Sequence, residues 1–85
     1  MRRPPEFFDD RDISLVHIAA TLRGALRLEN LLAEHGIDYA VETDTYSGGL
    51  LFWTEKTGAF FYVLASDSGK TRELLRRNRF KVHVD

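Results

Sequence analysis

Ser68, Gly69, Lys70 and Thr71 stand between an apolar run and a helical pattern, and Gly-Lys-Thr at such a junction is how a phosphate-cradling P-loop ends. The full pattern GxxxxGKS/T needs a glycine where this chain has Leu64, and 85 residues leave no room for the parallel nucleotide-binding sheet that carries it. Nucleotide hydrolysis is not expected. A weaker chemistry remains: unpaired N–H groups at a helix start, flanked by Ser66, Ser68, Gly69, Lys70 and Thr71, could hold a small anion. The plainer reading is that Ser66, Asp67 and Ser68 supply capping oxygens.

From Lys70 to Asp85 there are six cations and two anions, in a chain whose net charge is -1. Arg72, Arg76, Arg77 and Arg79 form a basic face that could meet phosphate or an acidic partner, or could simply complement the helix dipole. KTGAFFYVL, from Lys56 to Leu64, invites comparison with the aromatic octamer of RNA-recognition domains, but Thr57 separates Lys56 from Gly58 and the aromatics fall out of register. Nucleic-acid binding is therefore only an alternative. His17, His35 and His83 lack an obvious third metal ligand, although His17 and His83 become cross-strand neighbours if the first and last strands pair. Ser47 has no nucleophile-elbow context, no carboxylate pair stands at a diagnostic spacing, and there is no cysteine. No catalytic residue, metal or cofactor is expected, and the chain reads as a non-enzyme.

The elements that must position these groups follow from hydrophobic period. At 85 residues, with 44% apolar and 29% charged side chains, the chain is one globular domain. Its longest apolar run, Ala59 to Ala65, falls far short of the ~18 residues that span a bilayer. Residues 1–12 contain Pro4, Pro5 and several acids without periodicity and read as an arm with no secretory signal, so the expected setting is cytoplasmic. Residues 13–85 form the domain. Ile13 to Ala20 reads as a strand, with Ile13, Leu15 and Ala19 opposite Val16, Ile18 and Ala20. Thr21 caps a helix ending at Gly36, with Leu22, Ala25, Leu28 and Leu32 on its apolar stripe and Glu29 at the stripe's rim. Ile37 to Asp44 alternates as a half-buried strand, Leu50 to Thr54 resumes an extended stretch, and Glu55 to Gly58 reads as a turn. Ala59 to Ala65 is the strongest strand. A second helix runs through Asn78 with Thr71, Leu74 and Leu75 inward, and Phe80, Val82 and Val84 alternate in a last strand. The order is that of an α+β, ferredoxin-like βαββαβ sandwich, one antiparallel sheet with two helices on one face.

Two helices cover only one face of such a sheet, yet Ala59 to Ala65 has no polar face, and strands buried on both sides read in this way. Leaving such surface in water costs on the order of 25 cal/mol per Å2. The arm's Phe7 and Phe8, a second copy, or a ligand must cover it. The expectation is self-association, with a dimer favoured, through Phe7, Phe8, Leu15, Leu50, Phe52, Trp53, Phe61 and Val63.

The stretch GALRLENLLAEHGIDYAV, followed by a glycine loop and FFYVLASDSGKTRELLRRN, resembles a family of small prokaryotic domains of unknown function described as signal-transducing proteins. The likeness runs from about Ile13 to Phe80, through Ala25, Leu31, Leu32, Gly36, Ile37, Val63 and the Arg72 to Leu75 segment. The resemblance implies a ferredoxin-like fold and a regulatory or protein-binding role, with no defined ligand site.

Overall fold

The structure is a computed structural model describing residues 1–48 and 54–84, with only the backbone described at 47, 48, 54 and 55. Among the described residues the chain forms β1 (Ile13–Ala19), α1 (Leu22–Glu34), β2 (Tyr39–Gly48), β3 (Thr54–Leu64) and α2 (Ser68–Arg77), with short 3-10 turns at Pro5–Phe8 and Ala65–Asp67. The strands make one antiparallel sheet in the order β1-β3-β2. This is a small α+β architecture consistent in general with a ferredoxin-like arrangement, with three strands rather than four among the described residues.

The first helix follows its local signals. The Thr21 hydroxyl accepts from the Gly24 amide at 3.1 Å, and Gly36 takes φ +65 where the helix stops. A left-handed residue there lets the Ile37 amide reach back to the Leu32 carbonyl (3.0 Å) and drops Ile37 into the core. The second helix ends alike, with Phe80 N donating to Leu75 O at 2.9 Å, but the left-handed position is held by Arg79, φ +63. Ala25, Leu28, Leu32 and Leu75 close over Val16, Ala19, Tyr39, Phe61 and Val63 as one core. Leu22 does not join them: it is 75% exposed, one turn short of the sheet.

Four further expectations are corrected. First, β1 carries a bulge: Leu15 pairs with Tyr62 and His17 with Phe61, leaving Val16 as an extra residue. Val16 and His17 therefore both face the helices, and Ile18, opposite Phe60, turns to the outer face with Leu15. Second, Glu55 to Gly58 is not a turn; it continues β3, pairing with Asp44 to Ser47 of a longer β2. Third, the segment after α2 is extended but is not a strand. Among the described residues its one backbone bond to β1 runs from His83 N to Val16 O at 2.8 Å, while Phe80 and Val82 pack on the core. The bulge breaks the even spacing of β1 carbonyls that a ladder would need. Fourth, Asp67 caps α2 without a side-chain bond; the Ser68 hydroxyl donates instead to Ala65 O at 2.7 Å.

Candidate interaction face

The sheet's inner face is closed by the helices, and each of its margins is met at one residue by a chain end. Beside β2, Arg2 bridges Tyr39 in parallel, Arg3 N donates to Tyr39 O (2.8 Å), Tyr39 N donates to Met1 O (3.1 Å), and the Met1 amino group donates to Ile37 O. Salt bridges from Arg3 to Asp38 (2.9 Å) and from Arg2 to Glu29 (3.6 Å) hold this strap. Beside β1, residues 80–84 run alongside the bulge. Unpaired edge groups are the usual template for sheet extension; the arm takes up those of Tyr39 at the start of β2, and the last segment takes up the Val16 carbonyl of β1.

The remaining surface is the outer face. Because side chains alternate along a strand, Phe60, Tyr62 and Leu64 of β3 lie there with Leu15 and Ile18, all half-buried, and Ile13 is 45% exposed. The arm covers part of it from the β2 side: Phe8 is buried, with Pro5 and Phe8 bordering the same cleft as Ala40, Glu42 and Tyr62. Phe7 stands edge-on to Phe8 (5.0 Å) with the Arg3 and Arg11 guanidinium groups each 4.9 Å from its ring centre. The arm thus docks on its own chain.

Of the eight residues expected at an interface, Leu15 and the arm's Phe7 and Phe8 lie on or over this face. Phe61 and Val63 do not. Both are wholly buried beneath the helices, so β3 presents its even-numbered side chains outward and its odd-numbered ones to the core. Leu50, Phe52 and Trp53 lie outside the described residues. Phe60, Ile18 and Leu64 were missed as site residues; the apolar run names both phases of β3 equally, and only the odd-phase packing of Tyr39 and Val41 opposite Val63 and Phe61 tells them apart.

The expected anion site is not assembled as a cluster. Lys70 pairs with Asp67 at 3.4 Å, Ser68 is engaged with Ala65 O, Ser66 and Gly69 are exposed, and Thr71 is wholly buried with no partner for its hydroxyl among the described residues. The basic face also divides. Arg76 and Arg77 both lean on Glu73 (3.8 and 3.5 Å), and Arg79 forms the exit turn. Arg72 is half-buried and points inward, its Nε donating to His83 O at 3.0 Å and its Nη2 to Leu15 O at 3.2 Å. It fastens α2, the chain end and the bulged strand together.

Two of the three histidines, His17 and His35, are structural in placement. His35 Nδ1–H donates to Leu31 O (3.0 Å), and His17 is buried with its Nδ1–H donated to the Lys81 carbonyl and its ring edge-on to Phe80 at 5.5 Å. Burial lowers the His17 pKa from 6.5, helped by the Arg27 charge and opposed by the Lys81 hydrogen bond. A lowered value means the unfolded chain takes up the proton first, so the stability held by neutral His17 is whole above 6.5 and is lost as pH falls below it. The free energy of unfolding should fall between about pH 7.5 and pH 5.5, and His17→Gln should flatten that fall. An equal slope in both proteins would remove His17 from the account. On the far side of the core, burial first and then the 3.0 Å hydrogen bond to the Glu29 carboxylate push the Tyr39 phenol up to about 12.

No protein-family model matches the chain, and neither a curated protein nor a solved structure matches it significantly. No helix among the described residues is long and apolar enough to cross a membrane.

Proposed function

We propose that this chain is a non-enzymatic regulatory or protein-binding module that works by self-association, two copies meeting through their outer sheet faces. The observation that supports this is the row Leu15, Ile18, Phe60, Tyr62 and Leu64, left half-buried after the chain's own arm has closed over the β2 side. Because this row is apolar and lies on the outer face, face-to-face contact is the way for a copy to cover it. Size sets the expected strength. The β3 part of the row runs from Phe60 to Leu64; at ~3.3 Å per residue over two strands ~4.8 Å apart it gives a footprint of roughly 160 Å2, well below the ~800 Å2 per partner of a standard interface. The association is accordingly concentration-dependent, at about micromolar or weaker. The likeness to signal-transducing domains through Ala25, Gly36 and Val63 supports a regulatory role rather than catalysis.

Sedimentation over a concentration series tests this. The weight-average mass should climb above the 9.8 kDa of one chain as concentration rises. Phe60→Lys should stay at that mass throughout, because its charge would sit on the face beside its cross-strand neighbour Glu42, which also keeps the strand pairing intact. A wild-type chain that holds the single-copy mass at the highest attainable concentration refutes the reading.

A further inference from the structure

At the end of the outer face, where β1 leaves the sheet, lies a cavity of about 450 Å3 lined by Ile18, Ala20, Tyr46, Lys56, Lys81, Val82 and His83. Its chemistry is one-sided. Two lysines and a histidine come together around an apolar floor of Ile18 and Val82, and among the described residues no carboxylate lines it. Neither Lys56 nor Lys81 has an ion-pair partner among the described residues, whereas Lys70, Arg76 and Arg77 on α2 are each matched by an acid.

The walls are held in place by features already described. Tyr46 lies over Gly58 and against Ile18: a Cβ built on Gly58 would stand 2.9 Å from Tyr46 Cε1 and 3.0 Å from Ile18 Cγ2. The missing side chain is what lets the phenol ring close that side, supported by edge-on contact with Phe60 at 6.3 Å. His83 is fixed through its backbone, its amide bound to Val16 O and its carbonyl to Arg72. The volume falls within the ~300–1,000 Å3 of small-molecule sites, which combine apolar walls with a few convergent polar groups.

We infer that this cavity binds a small organic anion, its phosphate or carboxylate group between Lys56, Lys81 and His83 and its flat apolar body against Tyr46, Ile18 and Val82. Charge-assisted contacts from two ammonium groups hold the anionic end, and the ring of Tyr46 orients the body. The site lies outside the helix N-terminus suggested by Gly69 and Lys70, and it does not depend on self-association.

The test is an NMR titration of the full chain with phenyl phosphate, benzoate, inorganic phosphate and phenol. At least one of the two aromatic anions should move the Tyr46, His83 and Ile18 signals saturably, at about tenfold lower concentration than inorganic phosphate requires, and neutral phenol should not. Whichever anion saturates identifies the anionic group preferred. Lys56→Ala and Lys81→Ala lie on exposed side chains and should each weaken binding about tenfold, while Lys70→Ala should leave it unchanged. Gly58→Ala should weaken the aromatic anion more than inorganic phosphate, by displacing the Tyr46 ring. Absence of saturable movement up to about 10 mM, binding that survives the double lysine variant, or equal binding of phenol overturns the assignment.

Discussion

Phe61→Ala is expected to lower the free energy of unfolding by about 3–5 kcal/mol, the range for emptying a fully buried aromatic site. Phe61 is wholly buried at the centre of the middle strand, its ring stacked on Tyr39 at 5.9 Å and tilted against His17 at 6.2 Å. A domain of this length holds roughly 4–13 kcal/mol in all, so the loss takes from about a quarter of it to the whole. Its neighbour supplies the control. Phe60 is half-buried on the outer face, and Phe60→Ala, measured at low protein concentration, should cost about 1–2 kcal/mol. Urea midpoints for the two variants would give the contrast directly. Equal losses would mean that the two faces of the sheet are not as different as one closed and one open side require.

The second large effect belongs to Arg72. Its guanidinium donates to carbonyls on both sides of a junction, Leu15 before the bulge and His83 at the chain end, and hydrogen bonds from charged donors contribute about 1.5–3 kcal/mol each. Arg72→Ala should therefore destabilise by about 2–3 kcal/mol after relaxation, and it should do so locally first. Amide exchange at His83, whose N–H bonds to Val16 O, should rise before exchange at Phe61 or Val63 does. Arg72→Lys should recover little, because a compact ammonium group lacks the planar fork that addresses two acceptors. Full recovery by lysine, or unaltered exchange at His83, would show that the clamp is not what holds the end of the chain down.

The layout of elements was readable where local chemistry is unambiguous. Thr21 and Gly36 bracket α1 because a hydroxyl cap and a left-handed glycine have few other uses, and Ala25, Leu28 and Leu32 fall on one stripe by helical period alone. The sequence was silent where two phases are equally apolar. In ISLVHIAA the polar residues Ser14 and His17 fall on opposite phases and so name no single face, and the bulge, with it the direction of Ile18, emerges only from pairing with β3. The same degeneracy hid which half of AFFYVLA is open. Glu55 to Gly58 looked like a turn by composition, and cross-strand partners from Asp44 to Ser47 override that preference. Arg72 illustrates a different limit: counted with its neighbours it adds to a basic face, and its inward bonds become visible only once the chain end lies beside β1. The cavity at Lys56 and Lys81 was out of reach for the same reason, since its described walls come from Ile18 and Ala20, from Tyr46 and Lys56, and from residues 81–83.

The straps at the two margins carry one consequence for assembly. At Tyr39 the arm's backbone fills the place of a neighbouring strand, and at Val16 the last segment takes the carbonyl, so each selvedge is pinned by a stitch at one point. A copy joining the sheet sideways at either point would first have to unpick the stitch at Arg2 or at His83.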